Sequence, residues 1–193
     1  MKKDSINIDD LSPEQVGALF PIHVVPYNPE WKVIFEQEKV LIASALGEEI
    51  TLNIEHFGST SVEGLASKPT IDILVEAGKL TDELKQIITE KLELIGYSNM
   101  RNADKENKMT FGKGYGDDGF SAQTYHLHIR EKGDVPQDEI YFRNYLRRNR
   151  DARNEYAKLK CELAEMYKFN REMYTQAKTE FVARITEIAK VKA

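Results

Sequence analysis

Apolar and polar positions change their period several times along the 193-residue chain, and each change predicts an element. Ile50, Leu52 and Ile54 alternate with polar neighbours, as in a half-buried strand that ends at His56 and Phe57. Thr70 to Ala77 is apolar except at Asp72 and Glu76 and predicts a second strand. Tyr125 to Glu131 alternates again; side chains alternate across a pleat, so Tyr125, Leu127 and Ile129 take one face and His126, His128 and Arg130 the other. Helical spacing runs through the rest. Ser12, Pro13 and Gln15 supply an N-cap, an N1 proline and the N3 partner of a capping box for a short helix ended by Leu19, Phe20 and Pro21. Asn28 and Pro29 open a second helix through Trp31, Ile34, Phe35, Leu41 and Ala45 that stops at Gly47. Thr81 caps a third reaching about Gly96, and after Pro136 the chain turns helical in three segments, 136–149, 151–168 and 171–191. Between Tyr97 and Gly119 the pattern weakens, leaving a strand candidate at Lys108 to Lys113 and a glycine-rich turn from Gly112 to Gly119. No repeat, low-complexity tract or separating linker interrupts this order. It predicts one α+β domain over 1–193: a helical lead-in (1–22), a core with a mixed sheet flanked by helices (23–135) and a helical C-terminal part (136–193).

At 41% hydrophobic and 31% charged residues the chain has the apolar content that a folded core requires and that disordered sequences lack. No apolar run reaches the roughly 18 residues of a membrane span, and Met1 to Asp10 is polar and acidic where a signal peptide is basic and then apolar. A cytoplasmic protein without a membrane segment is expected. The single cysteine, Cys161, lies in a helical pattern between Leu159 and Leu163 and is read as a small buried thiol in a reducing compartment. The net charge of −5 speaks against general nucleic-acid binding, but residues 143–193 carry thirteen Lys and Arg against seven Asp and Glu. That basic tail faces either an anionic ligand or plain solvent.

Transfer or binding of a phosphorylated group calls for amides and hydroxyls that hold phosphate and for carboxylates on a rigid strand that hold a metal. Residues 57–76 offer both. Gly58 allows close backbone approach, Ser59, Thr60 and Ser61 add hydroxyls and amides, and Asp72 lies on the following strand. A Gly-Ser pair separated by twelve residues from an Asp within an apolar strand resembles the nucleotidyltransferase superfamily. That resemblance implies a second carboxylate two residues after the first, on the same face, where this chain has Leu74. Glu76 lies one pleat further along and makes a poorer clamp. The superfamily's third carboxylate is matched in position by the strand bearing His126 and His128, and imidazole suits transition metals better than magnesium.

Over nearly its whole length the chain resembles the GrpB-like proteins, also found as a domain fused to dephospho-CoA kinase. The matching segments are LFPI at 19–22, VVPYNPEW at 24–31, EHFGSTSVEGLASKPTIDILVE at 55–76, YHLHIRE at 125–131, FRNYLRRN at 142–149 and YTQAKTEF at 174–181. The resemblance implies a nucleotidyltransferase-like mixed sheet flanked by helices, and family-wide residues at Gly58, Ser59, Thr60, Gly64, Lys68, Pro69, Asp72, His126, His128, Arg143, Tyr174 and Lys178. Glu63 stands where the family usually has proline.

Together these readings place a divalent cation (magnesium, manganese or zinc) at Asp72, His126, His128 and Glu76. They place a nucleotide or phosphorylated small molecule at Gly58, Ser59, Thr60, Ser61, Lys68, Arg130, Arg143 and Lys178, with Asp72 and His128 as the catalytic pair. Each has a plain alternative: Lys68 as a solvated loop lysine, Arg143 and Lys178 as part of a solvated face, the histidines as structural. Trp31, on the apolar side of its helix, is read as core. Three functions follow: metal-assisted nucleotidyl or phosphoryl transfer; a non-catalytic nucleotide-binding or interaction module, which Leu74 favours; and a histidine-triad type hydrolase. The last wants a further histidine where Arg130 stands and leaves the Gly-Ser-Thr-Ser stretch without a role.

Overall fold

The computed structural model describes residues 11–100, 106–134 and 137–192, so Met1 to Asp10 and the expected helix start at Pro136 lie outside the described residues. β1 (Thr51–Phe57), β2 (Thr70–Ala77), β3 (Ser98–Asn99), β4 (Lys108–Gly116) and β5 (Gly119–Glu131) form a mixed sheet in the order β1-β2-β5-β4-β3. β2 pairs antiparallel with β1 and parallel with β5, so Asp72 faces His126 and Leu74 faces His128 in adjacent strands. The parallel pair requires a long crossover, which α3 (Asp82–Glu93) and the strands β3 and β4 provide.

One sheet face is apolar. Ile71, Ile73 and Val75 of β2, Leu127 and Ile129 of β5, and Met109 and Phe111 of β4 pack against α2 (Glu30–Leu46) and α3 through Trp31, Phe35, Ile42, Leu46, Ile88 and Leu92. The opposite face carries Asp72, Leu74, Glu76 and the histidines. The C-terminal helices are α4 (Gln137–Arg148), α5 (Arg150–Met166), α6 (Arg171–Gln176) and α7 (Thr179–Val191). α4, α5 and α7 form a second core, in which Leu146, Tyr156, Phe181 and Ile185 bury Val62 and Leu65 of the loop before β2, while Tyr174 of α6 is buried with Ile22, Leu163 and Ala164 in a third. α1 (Pro13–Leu19) opens on the expected capping box, with the Ser12 N–H donating to Gln15 Oε1 at 2.8 Å and the Gln15 N–H to Ser12 Oγ at 3.3 Å.

Four local expectations change. The run Ile50, Leu52, Ile54 does not share one face: β1 slips register between Thr51 and Asn53, and this bulge turns Leu52 outward to 50% exposure while Ile50 and Ile54 stay buried. The glycine-rich stretch 112–119 is not a turn but the paired arms of a β4–β5 hairpin around Asp117 and Asp118. The positive φ of Gly114 accommodates a bulge after Lys113, and the bent arms bring Tyr115 opposite Phe120. The segment 171–191 is two helices, because at Ala177–Lys178 the chain tightens into a single turn with the Lys178 N–H donating to Thr175 O. Cys161 is exposed, since α5 turns Tyr156, Lys160, Leu163 and Ala164 inward instead. At α2 the boundary moves by one residue: Pro29 takes the cap position, and Asn28 Oδ1 accepts the Glu30 N–H at 3.0 Å. Among the described residues no helix is long and apolar enough to cross a membrane.

Candidate functional site

The site begins where β1 ends. Gly58 has φ 72°, and a Cβ there would collide with the Asp72 carboxylate, so the turn that follows can lie against β2 only with glycine at this position. Ser59–Ser61 then make one 3₁₀ turn, with Ser61 Oγ donating to Gly58 O at 2.7 Å. Thr60 is buried and donates to Thr70 O at 3.0 Å. Its oxygen in turn accepts from His56 Nε2 at 3.0 Å, and the His56 ring stacks on Phe35. The turn is therefore pinned to the start of β2 and leaves Ser59 facing a cavity.

Asp72, His126 and His128 converge at the floor, each offering a ligand atom within 4.8 Å of the others. Asp72 Oδ1 lies 3.5 Å from His126 Nδ1 and 4.0 Å from His128 Nε2. The second nitrogen of His126 is 2.6 Å from the Tyr115 hydroxyl, which orients the ring in the way outer-shell partners orient metal-ligating imidazoles. His128 packs edge-on against Phe57, and burial draws its pKa down to about 4 against the opposing pull of Asp72, so its imidazole is neutral at physiological pH. Burial acts to raise the Asp72 pKa, but the His126 hydrogen bond and the nearby positive charge outweigh it, and the carboxyl sits below its usual range.

Above this floor the C-terminal helices supply cations. A cavity of about 190 Å³ is lined by Ser59, Lys68, Thr70, Asp72, His126, Lys160, Tyr174 and Lys178. Lys178 stands 4.2 Å over the Tyr174 ring and Lys68 5.7 Å from it. Burial, reinforced by neighbouring cations, lowers both lysines to about 8. Lys160, only 2% exposed, donates to Ser67 Oγ at 3.1 Å and is drawn well below the ordinary lysine range by burial.

Of the residues expected at the site, the fold gathers Gly58, Ser59, Lys68, Asp72, His126, His128 and Lys178. It separates the others. Thr60, Ser61 and Arg143 line a different groove of about 540 Å³ behind the turn. There Arg143 donates to Glu55 Oε2 at 2.9 Å and to His56 O at 3.2 Å. Glu76 pairs in register with Arg130, four residues beyond Asp72 and about 13 Å along the strand at about 3.3 Å per residue, outside the Asp72 cluster. Arg130 turns back to donate to Ile129 O at 3.0 Å. Sequence reasoning missed Lys160 and Tyr115 as site residues. Lys160 sits four residues after Tyr156 on the inward stripe of α5, a spacing that was available in the sequence.

The family model described as GrpB protein matches residues 21–188. The glutamate-rich protein GrpB of Alkalihalophilus pseudofirmus is 36% identical over 163 residues, covering 84% of this chain and 92% of that protein. The UPF0157 protein YqkA of Bacillus subtilis is 32% identical over 179 residues, covering 91% of this chain but 50% of its own length. Among solved structures, the conserved protein GrpB from Enterococcus faecalis superposes with a TM-score of 0.75 at 33% identity, over 88% of this chain and 98% of that one.

Proposed function

The chain belongs to the GrpB family, and from that premise we propose that it is a nucleotidyltransferase-like protein that binds a nucleotide or other phosphorylated small molecule together with a divalent cation. One observation carries the reading: Lys68, Lys160 and Lys178 converge with Ser59 on a cavity whose floor is Asp72 and His126. The amines of Lys68 and Lys178 beside one carboxylate leave an excess of positive potential in a partly desolvated space, and a phosphate group would complement it. At about 190 Å³ the cavity suits a phosphate-sized group; whole ligands usually occupy pockets of about 300–1,000 Å³.

The donor set fits a transition metal. Two imidazoles and one carboxylate suit zinc or manganese better than magnesium, which prefers oxygen ligands. Asp72, His126 and His128 would hold the ion, which when bound neutralises phosphate charge as a Lewis acid. Ser59 and the lysines orient the phosphate, and Tyr115 keeps His126 turned toward Asp72. A second reading, a binder without turnover, is favoured by Leu74: the position that would supply another carboxylate is 3% exposed and apolar. On this reading binding persists where phosphoryl or nucleotidyl transfer is slow or absent. The absence of general nucleic-acid binding accompanies the proposal on the net charge of −5, and a cytoplasmic location on the single cysteine.

Calorimetric titration of wild type with zinc, manganese and tripolyphosphate tests it. Asp72→Ala is expected to weaken metal binding at least tenfold and Glu76→Ala to leave it unchanged. Lys68→Ala combined with Lys178→Ala is expected to remove tripolyphosphate binding. Equal metal losses in the Asp72 and Glu76 variants would refute the assignment of the cation site, and wild type that binds no phosphate compound would refute the function.

A further inference from the structure

The lysine cavity is lined in part by Lys68 and Thr70. Both residues also line a neighbouring slot of about 80 Å³ between the segment after α1 and the β4–β5 hairpin. Its walls are of another kind: Pro21, Pro69, Ala122 and the Phe120 ring, together with His23 and Arg171. A space worth about three water volumes, at about 30 Å³ each, between prolines and a phenyl ring is thin and largely apolar.

The hairpin is built to present that ring. Phe120 stays 42% exposed although it sits beside a core aromatic, Phe20, which is 2% exposed. Phe20 meets it at 5.2 Å and 57°, and Tyr115 at 5.8 Å and 62°, so both neighbours brace the ring at an angle and neither is stacked flat upon it. The same Tyr115 orients His126 of the cation cluster. Arg171 is held by donating to Phe20 O at 2.9 Å, and its charge helps to depress both Lys68 and Lys178. A cationic cavity and a largely apolar slot are thus neighbours that share Lys68 and Thr70.

We propose that the phosphorylated ligand of this protein carries a flat aromatic ring, as a nucleotide does, that lies on Phe120 in this slot while its phosphate is held by Lys68 and Lys178. Phe120 is then the residue that distinguishes ring-bearing phosphates from bare ones. His23 and Arg171 complete the lining of the slot. The inference rests on the proposed phosphate site, and a pair of matched probes separates the two.

Affinities of wild type, Phe120→Ala and Phe120→Leu are compared for phenyl phosphate against methyl phosphate and for adenosine triphosphate against tripolyphosphate. The Leu variant retains the apolar contact with Phe20 without a flat face, and a chemical melt of each variant confirms folding. Stacking of a base on an aromatic side chain contributes roughly five- to hundredfold in affinity. The ring-bearing member of each pair is expected to bind wild type at least fivefold more tightly. Both substitutions are expected to remove that advantage and leave methyl phosphate and tripolyphosphate unaffected. Equal binding within each pair, or a ring advantage that survives in Phe120→Ala, would overturn the slot while leaving the phosphate site standing. Failure of all four probes would bring down the phosphate site and the slot with it.

Discussion

Lys68 and Lys178 sit near 8 because burial, together with the nearby Arg171 guanidinium, penalises their charged forms. An anion in the cavity reverses that penalty and raises both values, so binding takes up protons wherever the free amines are partly deprotonated. The sign follows directly: affinity is highest below about pH 7, where both amines are already charged, and falls as pH rises through 8. Asp72 is ionised and His128 neutral throughout, while the Lys160 amine, drawn well below the ordinary lysine range by burial, can only lose charge as pH rises and so acts in the same direction. Sulfate, whose own charge is constant here, is the probe. Its affinity should drop at least tenfold between pH 7 and 9.5, and a flat calorimetric profile would show that these lysines do not hold the anion. The same physics explains why Lys160 escaped notice in the sequence. Lysine is ordinarily a surface residue, and its place among Tyr156, Leu163 and Ala164 has meaning only once the buried Ser67 hydroxyl gives its amine a partner.

β2 shows at the level of an element why alternation was a sound guide. Its odd positions Ile71, Ile73 and Val75 enter the main core, which leaves Asp72, Leu74 and Glu76 together on the other face, as the pattern implied. Leu74 lies opposite His128 and two residues from Asp72. Leu74→Asp should therefore tighten manganese or zinc binding by adding a carboxylate to the cluster. Without metal, a new buried charge should lower the melting temperature, at a cost of several kcal/mol in the absence of a partner. Metal titration and metal-free melting of the variant check both halves. Unchanged metal affinity in a folded variant would mean that residue 74 does not reach the ion. Alternation failed only at Leu52 and in the hairpin, where bulges add a residue and invert the faces.

In the whole molecule the C-terminal helices and the sheet are tied at both sides of the Ser59–Ser61 turn. Val62 and Leu65 are buried among the helices, and Arg143 of α4 bridges to Glu55 and the His56 carbonyl on β1. Arg143 is 7% exposed, so its bonds to Glu55 and the backbone count for more than the exposed Arg184–Glu155 pair. Arg143→Met keeps length and apolar contact but removes the donors. A loss of about 1.5–3 kcal/mol is expected, or roughly 3–10 °C in melting temperature for a chain of this size. Zinc and manganese affinity should not change, because Arg143 borders the groove behind the turn and not the cation cluster. A calorimetric scan with a parallel metal titration distinguishes this strut from a ligand-binding arginine, for which tripolyphosphate affinity would fall as well.

Periodicity and punctuation alone determined the α+β class, the strand Thr70–Ala77 to the residue and the partition of faces on β2 and β5, and they marked a close backbone approach at Gly58, whose neighbour in the fold is the Asp72 carboxylate. These are consequences of local geometry: a pleat repeats every two residues, and a close backbone approach demands glycine. Which cations reach the cluster was decided only by tertiary structure. Lys68, Lys160 and Lys178 converge because a loop, a helix and the break between two helices meet over one sheet face, whereas Arg143, from the same basic tail, is turned to the other side of a three-residue turn. Charge along a sequence has no direction. It acquires one when packing chooses which side of each helix faces the sheet and burial sets how strongly each amine resists being charged.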